Sequence, residues 1–290
     1  MQGSKKSRVT SISRRMLHAV PLPTRPALLA PRAPVLAMSK STSSPPKPIA
    51  AGALAFYFSF FFLSDVPPGP NVLNTPPDEF LSTVVDLSLN FFFVLPLTSS
   101  DAPVNDPIYE SIFNTAIAFS LLFVGFAADG RKEAKDDSLL SNKFFPYLAA
   151  MPFATNLAYL AYLAQREPLD APPKKLNWLE QLGESPLLPA SLVGMLALSL
   201  YWAAFARPEF GPPEDRLTLL SSLLSKERLA YALLGDCVFF ALFQGWLLED
   251  DLDRREEVGE EERARLLGVG RFVPYVGLAW YLWKQPPLRS

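Results

Sequence analysis

The stretch Ile108–Ala128, IYESIFNTAIAFSLLFVGFAA, decides the fold class. A helix needs about 20 mainly apolar residues to cross a bilayer, and this stretch reaches that length. From Ala116 to Ala128 it holds a single hydroxyl, Ser120, and no charge. A surface helix of a soluble bundle carries a polar stripe at a period of about 3.6 residues, and none is visible here. The chain is read as a membrane protein on this ground.

Six further apolar blocks flank that stretch: Ile49–Leu63, Phe80–Leu97, Phe144–Leu163, Leu187–Ala206, Leu229–Leu248 and Leu266–Trp283. The first is short, the last contains Arg271, and the second contains Asp86 and Asn90, so six or seven spans are expected. Trp178, Trp202, Trp246, Trp280 and Trp283 mostly fall near block ends, where amphipathic rings favour the headgroup layer. The expected fold is all-α, a polytopic transmembrane helical bundle over residues 49–290. Segments Ser64–Glu79 and Thr98–Pro107 hold no Lys or Arg, whereas loops 129–143, 164–186, 207–228 and 249–265 hold four, three, four and four. With six spans both termini fall on the more positive side, which the positive-inside rule makes the stroma.

The N-terminal arm has a different character. No Asp or Glu precedes Asp65, and residues 1–50 contain nine Lys/Arg, eight Ser and many Pro. An arm rich in Arg and Ser and poor in acids reads as an organelle import sequence. Val35-Leu36-Ala37 resembles the V-x-A cleavage motif of green-algal plastid transit peptides. Residues 1–37 are thus expected to be a disordered plastid transit peptide, with 38–48 a linker; a mitochondrial presequence and an uncleaved arm are the alternatives. Cleavage after Ala37 removes seven Lys/Arg from a chain of formal charge −2 and leaves 20 against 29 acids, a mature charge of −9. That balance disfavours nucleic-acid binding, which needs clustered Lys/Arg to neutralise phosphates.

Two scarcities narrow the chemistry. Cys237 is the only cysteine and His18, in the arm, the only histidine. A mature chain without His has no Ser-His or Cys-His activation and no His ligands for zinc or haem. Candidate functional groups are therefore the polar residues inside the blocks, which cost a few kcal/mol to insert when ionisable. They are Asp86, Asn90, Asn114, Asn156, Asp236, Gln244 and Arg271, with Glu110 left out because it sits at a block start. Straight-helix spacing puts Asp86 and Asp236 at one depth and Arg271, Asn114, Asn156 and Gln244 nearer the opposite face. Two polar layers are expected, serving either as interhelical glue or as a path for an ion or small solute.

Several motif-like strings are set aside. Leu234-Gly235-Asp236 has part of the intramembrane aspartyl protease G-x-G-D motif, but position 233 is Leu, and Asp86 follows Val85 where that family places Tyr. Glu260-Glu261-Glu262-Arg263-Ala264-Arg265 fits the E-E-x-x-x-R string of prenyl-protease-like enzymes, which also need membrane-embedded His. The acidic run from Glu249 to Asp253 lacks the Gly and spacing of an EF-hand loop and reads as a solvated helix end. No metal site, cofactor or catalytic residue is assigned.

Asn90-Phe91-Phe92-Phe93-Val94, Phe113-Asn114, Gly125-Phe126, Thr155-Asn156, Tyr201-Trp202 and Phe243-Gln244-Gly245-Trp246 leading to Asp250-Asp251 form a wider pattern over most of residues 80–285. It resembles an uncharacterised multi-span membrane protein family shared by cyanobacteria and plant or algal plastids. The resemblance implies a plastid membrane and carries no reaction. The expected function is non-enzymatic: assembly or organisation of a membrane complex in the thylakoid or inner envelope, with the bilayer and other membrane subunits as partners. A small-solute or ion transporter is the alternative, and the mitochondrial inner membrane the alternative location.

Overall fold

The computed structural model describes residues 47–79, 81, 105–127, 144–166 and 178–288. The transit arm, most of the linker, and Asp86 and Asn90 of the second block lie outside the described residues. Within them every named element is helical, and the extended pairing is an isolated bridge between Arg255 and Leu288. Helix α1 (Lys47–Phe58) runs into a π-helical turn, Ser59–Leu63. Then follow α2 (Pro107–Leu122), α3 (Val124–Ala127), α4 (Phe144–Gln165), α5 (Trp178–Glu184), α6 (Leu187–Phe205), α7 (Pro213–Lys226), α8 (Arg228–Leu252), α9 (Glu260–Phe272) and α10 (Val276–Lys284).

Three of these helices are long and apolar enough to cross a membrane: Pro107–Phe126, Leu187–Phe205 and Arg228–Leu252. Lys47–Leu63 is a shorter apolar helix. The expected count of six or seven is not reached among the described residues: the second block lies outside them, the first is the shorter helix, and two further blocks fold back on themselves. The fourth block does not run straight. Thr155 has φ 31° and ψ −110°, outside the helical region, and joins two half-helices. Tyr147 and Tyr162 meet at a tilt, with ring centroids 5.8 Å apart, and Gln165 donates to the Tyr147 hydroxyl. In a continuous helix those last two residues stand about 27 Å apart. The block is a helical hairpin that returns to the end from which it started.

The seventh block folds the same way. Its turn is at Val273–Tyr275, with Tyr275 at φ 60°. A Cβ on Gly270 of α9 would lie 3.5 Å from the Tyr281 Cβ of α10, and Arg265 stands 5.9 Å over the Trp280 ring. Gly277 is required at this turn, because any side chain there would strike the Val269 carbonyl oxygen. Hydropathy alone does not distinguish such a hairpin from a span, since both are about equally long apolar runs.

The ends of α8 define the two ends of the bundle. At the Arg228 end, the Arg228 guanidinium donates to the carbonyls of Ser64 (2.8 Å), Pro67 (2.9 Å) and Gly69 (2.8 Å), which pins the exit of α1. Tyr109 of α2 packs there with Ala230 and Leu233. Arg216 closes the C-terminus of α6 by donating to the Ala203, Arg207 and Gly211 carbonyls. At the other, Asp251 end, Gly125 of α3 and Gly183 of α5 approach so closely that a Cβ on Gly183 would come within 2.7 Å of the Gly125 Cα. Both hairpins open at this end: Arg166, just past α4, pairs with Asp250 at 2.9 Å, and Leu288, past α10, bridges Arg255.

The core between the ends is aromatic. Phe123 lies 4.7 Å from Tyr159 and 5.3 Å from Phe240 by ring centroids, and Phe119 lies 5.4 Å from Phe240, joining α2, the first hairpin and α8. The spans differ in how they use it. Of the apolar stretch of α2 and α3, 72% is buried inside the chain, against 22% for α6, so α2 is central and α6 peripheral.

Candidate functional site

Asp236 is the hub of the polar groups inside the bundle. It lies on α8 eight residues past Arg228, about 12 Å along the axis. Its Oδ1 accepts from the Tyr57 hydroxyl at 2.6 Å and the Asn156 amide at 2.8 Å, and its Oδ2 accepts from the Thr155 hydroxyl at 2.6 Å. The same Asn156 amide also reaches the Asp236 carbonyl at 3.0 Å. All four residues are buried. Among the described residues no Lys or Arg stands within ion-pair distance of the carboxylate. The donors are neutral.

Each partner is placed by a local feature of the chain. Tyr57 sits at the end of α1, where the Phe61 ring lies on Gly235 so closely that any side chain at 235 would collide with it. That contact explains the glycine beside Asp236 without protease chemistry. Thr155 and Asn156 form the bend of the first hairpin, with Pro152 shortly before it removing one backbone donor from the helix. The hairpin tip is therefore fastened to α8 through one carboxylate.

Gln244 does the corresponding work for the second hairpin. Its amide donates to the carbonyls of Gly270 (2.8 Å), Arg271 (3.1 Å) and Val273 (3.3 Å), which lie where α9 ends; the Val273 carbonyl also accepts from the Gly277 N–H at 3.0 Å. Arg271 pairs with Glu249 rather than with the interior groups, and its stem covers Gly245. Asn114 donates to the Glu110 carbonyl one turn back at 2.7 Å.

The two expected layers are not what the structure contains. Asn156, assigned from straight-helix spacing to the face opposite Asp236, touches it, because the hairpin carries position 156 back toward the middle of α8. The acidic run, which forms the last residues of α8, is not a fully solvated helix end either: Glu249, Asp250 and Asp253 are partly exposed, but two of its charged neighbours are not. Asp251 and Arg255 are fully buried. Arg255 donates from Nε to Asp251 at 2.5 Å and forks onto both Glu184 oxygens at 2.8 Å, while the Tyr281 hydroxyl donates to Asp251 at 2.8 Å. Burial works against the Arg255 cation, yet Asp251 and Glu184 together hold its pKa above the ordinary arginine value.

Sequence reading also passed over Glu110. It is 2% exposed, and its carboxylate takes the Arg207 guanidinium (2.7 and 3.0 Å) and the Trp202 indole N–H (2.6 Å). Trp202 is thus partnered inside the protein, tying the start of α2 to the end of α6. Tyr57 and Thr155 were missed because an isolated hydroxyl in an apolar block carries no signal until its partner is known. Comparison with known protein families, curated proteins and solved structures finds no match for this chain.

Proposed function

We propose that the chain is a non-enzymatic integral membrane protein of a plastid membrane, thylakoid or inner envelope, that assembles or organises a membrane complex. One observation carries this reading: the intramembrane polar groups act as fasteners. Asp236 holds the tip of one hairpin, Gln244 the end of the other, and Glu110 joins α2 to α6. The peripheral α6 leaves Leu187, Leu198, Leu200, Tyr201 and Phe205 exposed, an apolar face suited to lipid or a neighbouring subunit. The resemblance to a cyanobacterial and plastid family and the acid-free arm support the location.

Orientation follows from charge. The segments 129–143, 164–186 and 249–265 all join elements at the Asp251 end and carry four, three and four Lys/Arg, against four for 207–228 at the Arg228 end. The Asp251 end is therefore placed in the stroma. Gly69 and Tyr109, flanking the second block, both sit at the Arg228 end. Cysteines introduced at Asn71 and Asn105 should then be labelled from the same, non-stromal side; opposite sides would reject this topology.

The function itself is tested on native gels of purified thylakoid and envelope membranes. Migration inside a large complex is expected, and a monomer in both membranes would overturn it. A fusion of residues 1–60 to a fluorescent reporter should enter plastids; a mitochondrial signal would move the assignment to the inner membrane there. The carrier reading keeps one specific support. Broken helices with tips near the midplane form the binding sites of many transporters, and this chain has two such hairpins opening at one end.

A further inference from the structure

The Asp236 carboxylate is short of positive charge, and its hydrogen-bonding neighbours bring further oxygen atoms close to it. Tyr57, Thr155 and Asn156 contribute neutral donors only. The backbone does not compensate. The half-helix 144–154 brings its negative dipole end to the bend while the half-helix beginning at Asn156 brings its positive end to the same place, and the two offset each other. A second observation points the same way: Asn156 is 0% exposed and its Oδ1 has no hydrogen-bond partner, against the general rule that buried polar atoms are satisfied.

We propose that the bend of the first hairpin and Asp236 form a binding site for one monovalent metal cation, sodium being the probe of choice. The ligand set is the Asp236 carboxylate, the Thr155 and Tyr57 hydroxyl oxygens and the Asn156 Oδ1. Each hydroxyl oxygen keeps a lone pair while donating to the carboxylate, so Tyr57 and Thr155 coordinate without giving up their hydrogen bonds, whereas Asn156 turns its amide to bring Oδ1 in, exchanging its present Nδ2 contacts with Asp236. Hard oxygen donors suit alkali and alkaline-earth ions. A single carboxylate balances a single positive charge, and a divalent ion would leave net charge buried at a depth where it is costly. The proposal goes beyond the assembly reading and stands whether the ion is structural or moves.

The test uses the full chain purified in detergent, with its thermal unfolding midpoint followed from 1 to 100 mM sodium chloride while choline chloride keeps the ionic strength constant. Binding to the folded state alone raises the midpoint by mass action, by about 5–10 °C if the upper concentration is 100-fold above the dissociation constant. Identical midpoints across the series overturn the proposal. Asp236→Asn should abolish the sodium response and Thr155→Ala should weaken it, and a full response in either variant removes the site from this place. Should Asp236→Asn fail to fold, radioactive sodium retained by the unmodified chain decides: one ion per chain supports the site, and none overturns it.

Discussion

Helix α8 carries two buried aspartates that the protein treats in opposite ways. Asp236 and Asp251 are 15 positions apart, about 22 Å along the axis, and both are almost wholly buried. Asp251 is met by the guanidiniums of Arg254 and Arg255, whereas Asp236 is met by two hydroxyls and an amide. Depth accounts for the difference. At the end of a span, arginines from the following loop reach inward at little cost, while a second charge near the middle adds its own desolvation. The end is held by charge pairing and the middle by neutral hydrogen bonds.

The sharpest way to break this comparison is to remove the cation at the end. Arg255→Ala leaves Asp251 and Glu184 facing each other without it, and losing one partner of a buried pair costs about 3–5 kcal/mol. We expect the largest loss of abundance and thermal stability among single substitutions in the bundle. A stability equal to that of the unmodified chain would show that the cluster is open to water. Arg255→Lys should recover only part, because lysine lacks the fork that meets both Glu184 oxygens.

The middle should fail by a different route and less severely. Asp236→Leu removes the acceptor of Tyr57, Thr155 and Asn156 at once, and each buried donor left unsatisfied costs about 1–3 kcal/mol, not additively. The hairpin tip should loosen before the bundle does, read as faster labelling of a cysteine at Ala154 with little change at the Arg228 end. Uniform loosening of both regions would show that the middle and the end are one unit.

How much of this was legible in the sequence depends on the physics each feature uses. The all-helical class and the presence of helices long and apolar enough to cross a membrane were legible, because length and hydropathy are local properties of stretches such as Ile108–Ala128. The hairpins were not, since Phe144–Leu163 and Leu266–Trp283 have the length of spans and only the backbone at Thr155 and Tyr275 reveals the reversal. Asp236, Asn156 and Gln244 stand out in the sequence as polar residues in apolar blocks and are buried, but their pairing depends on the fold. Asp251 and Arg255 were misread because a dense run of acids and arginines looks solvated in one dimension. Its burial comes from α5 and α10, distant in the chain.

Gln244 offers an intermediate case that sharpens the rule. It has no charge, and it serves backbone carbonyls that keep some alternative hydrogen bonding. Gln244→Leu should cost about 1–2 kcal/mol, in the range of a lost cap or a single unsatisfied group. The effect should concentrate on α9 and α10, measured as hydrogen exchange of the 270–277 amides. An effect as large as that of Arg255→Ala would mean that the second hairpin, rather than the charge cluster, holds the Asp251 end together.

The smallest expected effect is the most informative. Asp236→Asn keeps size and one carbonyl acceptor but removes the ionisable group, so the hairpin tip stays fastened and stability changes by less than about 1 kcal/mol in the absence of sodium. If Asp236 has a structural role, holding the hairpin tip and a resident cation, the variant inserts normally, joins the same complex and differs from the unmodified chain only in its response to sodium. If the chain moves ions, the same substitution leaves abundance intact and abolishes a pH- or ion-dependent flux across vesicles. The equivalent change at the other end, Asp251→Asn, cannot be so quiet, because it neutralises the carboxylate that both Arg254 and Arg255 meet. A gap of several degrees in unfolding midpoint between the two Asn variants is therefore expected. Equal midpoints would erase the distinction between the neutral middle and the charged end, and a lost flux at normal abundance in Asp236→Asn would replace the assembly reading with the carrier.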